Sequence, residues 1–302
     1  MISAIGISTI DHLMVVENFI NKEGTFYSES YSIEGGGMAA TAMCAASKLG
    51  SKTKLFSRIG DDVNGQFILK GLTDFKVDTT GTVTVKNARS FTTLIFIESK
   101  SGEKQFWCEK KPVVFEKTLK LNIDLLKGTK VLLIDSFWME AAQEAVLWAS
   151  QNNIPIVADF NEYVTGIDKL FPYVNYLIVP SFFAISLTQK NTISDILHSL
   201  KKMINGIPVV TDGSKGGAYL PGDKVRNYKV YNVPCNDSTG AGDAFHGAFC
   251  HFLSLNYPLE RCLDMASAVG ALNCQAIGGR KGLPDNNLLM SFVNKSLLNN
   301  TG

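Results

Sequence analysis

Long apolar runs are missing from this chain, and none of its apolar stretches has the roughly 20 residues needed to span a bilayer. Charge of one sign is missing too. The net charge is +1 and the basic residues form no block, so no nucleic-acid or membrane surface is expected. Six cysteines, at 44, 108, 235, 250, 262 and 274, include no CxxC pair, and four histidines show no metal-ligand spacing. This argues against a zinc site and for free thiols in a reducing cytoplasm. The start, MISAIGISTIDHLMVV, has no basic n-region and meets Asp11 and His12 early, so it reads as a first strand and not as a signal peptide. No GxxxxGK[ST] occurs, which removes the P-loop kinases. Repeats and low-complexity linkers are absent, so one domain is expected over 1–302.

What is present is a rhythm. Apolar runs at 2–8, 54–59, 131–135, 155–159, 176–180 and 208–213 alternate with helical stretches at 38–49, 138–151 and 192–204. Further helices are expected at 241–254, 260–276 and 286–298. Buried strands separated by helices predict an α/β fold with a mostly parallel sheet covered on both faces. Two segments break the rhythm, at about 11–33 and 86–111. They are rich in aromatic and β-branched residues, and FTTLIFIE and EKQFW flank a turn at Lys100-Ser101-Gly102. They are expected to pair as a small β-sheet lid.

The sharpest chemical signal is Asp237-Ser238-Thr239-Gly240-Ala241-Gly242-Asp243, followed by the helical stretch AFHGAFCHFL. Small residues at a helix start leave backbone N–H groups free, and the helix dipole adds to them, making an anion site. An Asp in that first turn is by itself as readily a dipole-stabilising residue as a working one. Thr211-Asp212-Gly213-Ser214-Lys215-Gly216-Gly217 reads alone as a hairpin turn. Gly35-Gly36-Gly37-Met38-Ala39-Ala40, with Asp61 some 20 residues on, also fits the outline of a dinucleotide fingerprint, so a dehydrogenase is a rival on motif alone.

The whole heptad is similar to the D-[ST]-T-G-A-G-D signature of the PfkB, ribokinase-like family of carbohydrate kinases. The resemblance implies a three-layer α/β/α sandwich with a lid and ATP-dependent phosphorylation of a sugar hydroxyl. It implies Asp243 as general base and Gly240, Ala241 and Gly242 as the anion hole. Thr211, Gly213 and Gly216 correspond to the family's T-x-G-x-x-G turn near the nucleotide phosphates. Ala268, Asn273 and Gly279 fall in the helix and loop that enclose adenine. Asp237 and Thr239 correspond to backbone ligands of a monovalent cation, K+, found in many members. Asp11, Gly36, Gly37 and Thr41 fall on the sugar side, and Gly60-Asp61-Asp62-x-x-Gly65 looks like a supporting element.

The chain departs from the pattern in places. Thr41 stands where the family usually has Asn. Ser181-Phe182-Phe183-Ala184 replaces an N-x-x-E motif that helps organise Mg2+, and Tyr163 replaces an Arg after Asp159-x-Asn161. These changes leave room for a non-catalytic sugar- or nucleotide-binding relative. GGGMAATA, GDAFHGAF and GGRKGLPD look most like the sulfofructose kinase branch. Yet Thr25, Cys108 and Phe137 stand where that branch would bind a sulfonate, and none carries a cation. A neutral sugar or polyol is therefore expected. The resemblance also implies a homodimer joined through the lids.

Overall fold

The computed structural model describes residues 1–19, 23–100, 102–109, 113–115 and 118–298. Short parts of both expected lid segments, and the last four residues, lie outside these.

The main sheet is built from β1 (Ile2–Ile5), β4 (Thr53–Phe56), β9 (Val131–Asp135), β10 (Ile156–Asp159), β11 (Tyr176–Pro180), β12 (Ile207–Thr211), β13 (Gly217–Tyr219) and β14 (Arg226–Asn227). Its order is β14-β13-β12-β11-β10-β9-β1-β4. β4 through β12 run parallel, and β13 and β14 return antiparallel at one edge. Parallel strands buried on both faces need continuous apolar runs, which is what VLLID and YLIVP supply.

Helices cover both faces. α1 (Met38–Lys48), α2 (Val63–Asp74), α6 (Ala241–Ser254), α7 (Leu259–Asn273) and α8 (Asn286–Leu298) contribute to one apolar core. α3 (Met139–Gln151), α4 (Ser181–Thr188) and α5 (Ile193–Met203) contribute to the other. This is a three-layer arrangement. α1 and α6 approach closely because Gly247 has no side chain; a Cβ there would sit 2.1 Å from the Ala42 carbonyl oxygen.

The lid is a second sheet of β2 (Thr9–Val16), β3 (Ser30–Gly36), β7 (Thr92–Glu98) and β8 (Lys104–Cys108), in the order β3-β2-β7-β8. It begins at Thr9, two residues before the expected boundary. Side chains alternate across a strand. Register therefore puts Asp11, Thr93, Cys108 and Lys104 on one face, and Leu94, Phe96 and Trp107 on the other.

Three expectations need correction. The single strand at 54–59 is two, β4 and β5 (Arg58–Gly60); β5 leaves the main sheet to pair with β6 (Val83–Val85). α4 was not anticipated, because SFFAISLT is apolar throughout and shows no helical stripe. The Gly35–Ala40 segment runs from the end of lid strand β3 into α1, and not from a strand of the parallel sheet, which removes the dinucleotide fingerprint.

Candidate active site

β1 sits between β4 and β9, with chain connections leaving it in both directions, so a crevice opens at the carboxyl ends of these strands. Carboxylates collect there. Asp135 ends β9 and accepts from the backbone N–H groups of Ile7 (2.8 Å), Phe137 (2.9 Å) and Ala39 (3.2 Å). Burial raises its pKa to about 7 against those three donors. Gly6 makes room for it, since a Cβ there would lie 2.2 Å from the carboxylate. Asp135 thus fastens β1, β9 and α1 together beneath the crevice.

On the lid side, Asp11 is buried and accepts from the Thr9 hydroxyl at 2.7 Å. Burial raises its pKa, while Thr9, Arg280 and Thr93 pull it back. Gly36 faces it, and a Cβ on Gly36 would collide with its carboxylate at 1.9 Å. Gly37 takes φ 93° as the N-cap of α1, packed on the Ile7 carbonyl. Thr41 is buried, and its hydroxyl accepts from Arg280 Nε at 3.2 Å. Arg280 Nη2 donates to the Gly36 carbonyl at 2.7 Å. Sequence reasoning missed Arg280; its partner lies 244 residues away and no local pattern marks it.

Across the crevice, Gly240 takes φ 71° as the N-cap of α6, and Asp243 stands in the first turn. A Cβ on Gly240 would strike Gly279, at 2.6 Å from its carbonyl oxygen, whereas one on Gly242 would have nothing within 4 Å. Gly242 therefore faces open space, as does Gly213, at φ 54° in the turn after β12. Thr211 ends β12, and Gly216 (φ 91°) closes the same turn before β13.

Asp243 does not stand alone. Its pKa is raised, first by burial and then by the Asp159 carboxylate, while His246 pulls it down. His246, one turn on, has Nδ1 at 2.8 Å from the Gly242 carbonyl and 3.2 Å from Asp159 Oδ2. Its Nε2 lies 3.1 Å from the Ile178 carbonyl in β11. Burial lowers the His246 pKa. Asp159 and His246 escaped sequence reasoning as site residues. The signal was there in the i, i+3 spacing of Asp243 and His246, which puts both on one helix face.

The loop before α6 is held tightly. Asp237 Oδ1 accepts from Thr239 N (2.8 Å) and Thr239 Oγ1 (2.7 Å), and Oδ2 accepts from Gly278 N (2.9 Å). Asn273 Nδ2 donates to the carbonyls of Thr239 (3.3 Å) and Gly279 (3.0 Å). Asn273 is wholly buried and clamps two loops. Ala268, also wholly buried, packs in the core of α7.

The backbone carbonyls of Asp237 and Thr239 are the expected K+ ligands; that of Thr239 accepts from Asn273 Nδ2, and no step is derived through such a cation. For Mg2+, position 184 is a buried alanine and the Ser181 hydroxyl donates to Asp212 at 2.8 Å. Among the described residues no group of three His, Cys, Asp or Glu is placed to hold a metal. Asp62 accepts from Gly65 N as the N-cap of α2 and from Ser90 N and Oγ, a supporting role as expected.

A parallel α/β sandwich with a β-sheet lid and a glycine-rich helix start beneath it defines a ribokinase-like fold. The family model of the pfkB family carbohydrate kinases matches residues 1–286. The chain belongs to that family, and it is a carbohydrate kinase. It is 28% identical over 280 residues to a probable fructokinase-5 of Arabidopsis thaliana, covering 82% of this chain and 85% of that one. The crystal structure of a putative ribokinase from Agrobacterium tumefaciens superposes with a TM-score of 0.92 at 25% identity, over 98% of both chains. Arabidopsis thaliana ribokinase complexed with ribose and ATP gives a TM-score of 0.82 at 21% identity, over 96% of this chain and 97% of that one. These relatives support the family and do not favour the sulfofructose kinase branch within it. Among the described residues no helix is long and apolar enough to cross a membrane.

Proposed function

We propose that this kinase transfers the γ-phosphate of Mg2+-bound ATP to a hydroxyl of a neutral sugar, with Asp243 as general base. The observation that carries the reading is the placement of Asp243 in the first turn of α6, beside open-faced Gly242 and across the crevice from Asp11. Phosphoryl transfer asks mainly for positioning and charge stabilisation. The amides of Gly240, Ala241 and Gly242, of which Ala241 N also donates to the Ser238 carbonyl at 3.3 Å, supply an anion hole at the positive end of the α6 dipole. Mg2+ enters with ATP as part of the donor, where it neutralises phosphate charge.

Asp11 and the backbone at Gly36 and Gly37 hold sugar hydroxyls, with Thr93 over them from the lid. Asp243 then takes the proton of the hydroxyl as it attacks phosphorus, and the raised pKa makes it a stronger base once ionised. Thr211, Gly213 and Gly216 guide the nucleotide phosphates. Two observations favour a neutral sugar. Arg280, the buried cation near Asp11, is tied down through Nε to the Thr41 hydroxyl and through Nη2 to the Gly36 carbonyl. Phe91, Phe115, Phe137 and Trp138 pack in tilted and edge-on contacts as an apolar cluster.

The kinase is further proposed to dimerise through its lid. Leu94 and Trp107 are 41% and 62% exposed, and with Phe26 and Phe96 they line a groove of about 330 Å³ on the outer lid face. An apolar sheet face of this kind calls for a covering surface, and a second copy offers its like. Measuring ADP release across ketoses, aldoses, sugar acids and nucleosides tests the function. Turnover restricted to neutral sugars is expected, and turnover only with sugar acids would overturn the substrate assignment.

A further inference from the structure

The lid's two edge strands each reach one of the two loops beside the start of α6. On the β3 edge, Glu34 pairs with Lys281 at 2.5 Å. On the β8 edge, Lys104 Nζ donates to Ser238 Oγ at 2.7 Å and to Thr239 Oγ1 at 3.3 Å, and lies 3.5 Å from Asp237 Oδ1. The two links differ in kind. Lys281 has a side chain 53% exposed, and an ion pair so open to water is heavily screened. The Lys104 side chain is 13% exposed and that of Asp237 is 0% exposed. A lysine drawn this far out of water is costly unless its partners hold it in one place. Burial lowers the Lys104 pKa, and Asp237 opposes the shift.

The position of this ammonium matters for chemistry. Asp237 is a buried carboxylate three residues before Gly240, on the loop that leads into the free amides of α6. Left uncompensated, it would repel an incoming phosphoryl group. It also orients Thr239, whose N–H and hydroxyl both bond to Oδ1. We infer that Lys104 is a positioning residue for phosphoryl transfer: its ammonium, carried on the lid, orders the Asp237–Thr239 turn and offsets the charge of Asp237, so that the anion hole is complete only when the lid is down. This rests on the reading of Gly240–Gly242 as the anion hole. It adds that the lid takes part in assembling that hole, besides covering the sugar.

The test uses Lys104→Met, Lys104→Arg and Ser238→Ala in the full chain. Hydrogen exchange of the unliganded proteins comes first and needs no substrate. In Lys104→Met, amides at 236–242 should exchange about tenfold faster, with those at 131–135 unchanged. Steady-state kinetics follow with a sugar the wild type accepts. Lys104→Met should lose roughly one to two orders of magnitude in kcat with little change in sugar KM, because the lost contact acts in the transition state. Lys104→Arg should restore most of kcat. Adding Ser238→Ala to Lys104→Met should cost little more, since one interaction would already be gone. Unchanged exchange at 236–242, or a kcat within about twofold of wild type, would overturn the inference. A wild type that turns over no sugar would instead sink the kinase reading, and the exchange result would still decide whether Lys104 orders the loop.

Discussion

At the scale of single residues, the candidate site depends on how carboxylates act on one another. Asp243 is pushed upward by burial and then by Asp159. A general base works only when ionised, so turnover should rise with pH through a value above the ordinary carboxylate range. Asp159→Asn removes the like charge, and the acid limb of the kcat/KM profile should move to lower pH. A limb that stays in place would separate Asp159 from Asp243. Asp243→Asn should fold and bind ATP, yet lose on the order of 10²–10⁴ in turnover; a mutant with near-normal sugar-dependent ADP release would exclude it as the base. Two glycines in the same loop should behave differently. Gly242→Val projects into open space, so it should keep the fold and weaken ATP binding in calorimetric titration. Gly240→Val meets Gly279 and demands a strained φ, so it should lower thermal stability as well.

At the scale of elements, the lid carries the most consequences. Its period-2 alternation separates an inner face bearing Asp11, Thr93 and Lys104 from an outer apolar face. Leu94→Asp places a charge in the outer groove without touching the inner face. Light scattering should then report a monomer where the wild type is a dimer; a wild type that is already monomeric would exclude the lid interface. The lid was legible as β structure because aromatic and β-branched residues crowd into it. Its pairing was not legible, since β2 and β7 run parallel although some 80 residues separate them, and register between distant strands is set by the faces they bury. The strands at 131–135 and 176–180 appear with the boundaries their apolar runs suggest. The run at 54–59 divides because β5 turns away to pair with β6.

At the scale of the whole molecule, the lid-side and phosphate-side residues are brought into register by the packing of two helices in one layer. α6 rests on α1 through Gly247, so the Asp243 end of α6 is registered against the Gly37 end of α1. Gly247→Val would overpack this contact. Chemical denaturation should show a loss of about 1–3 kcal/mol, and an unchanged midpoint would mean the helices can separate without cost. Sugar binding should hold the lid more firmly over the crevice. Exchange at described residues in 86–109 should slow when the accepted sugar is added, and no change there would leave the lid a static cover.

The local sequence by itself determined the fold class, most element boundaries and the glycine-rich start of α6. Those features are contiguous, and their physics acts over a few residues: apolar periodicity, helix capping, free backbone amides. Only the tertiary structure decided which side chains surround Asp243 and Asp11. Asp135 meets Ile7 across 128 positions, Lys104 meets Ser238 across 134, and Arg280 meets Gly36 across 244. It also showed Ala268 and Asn273 to be wholly buried. Such contacts follow from strand order and crossover connections, which place distant segments at one sheet end without leaving a mark in either segment alone.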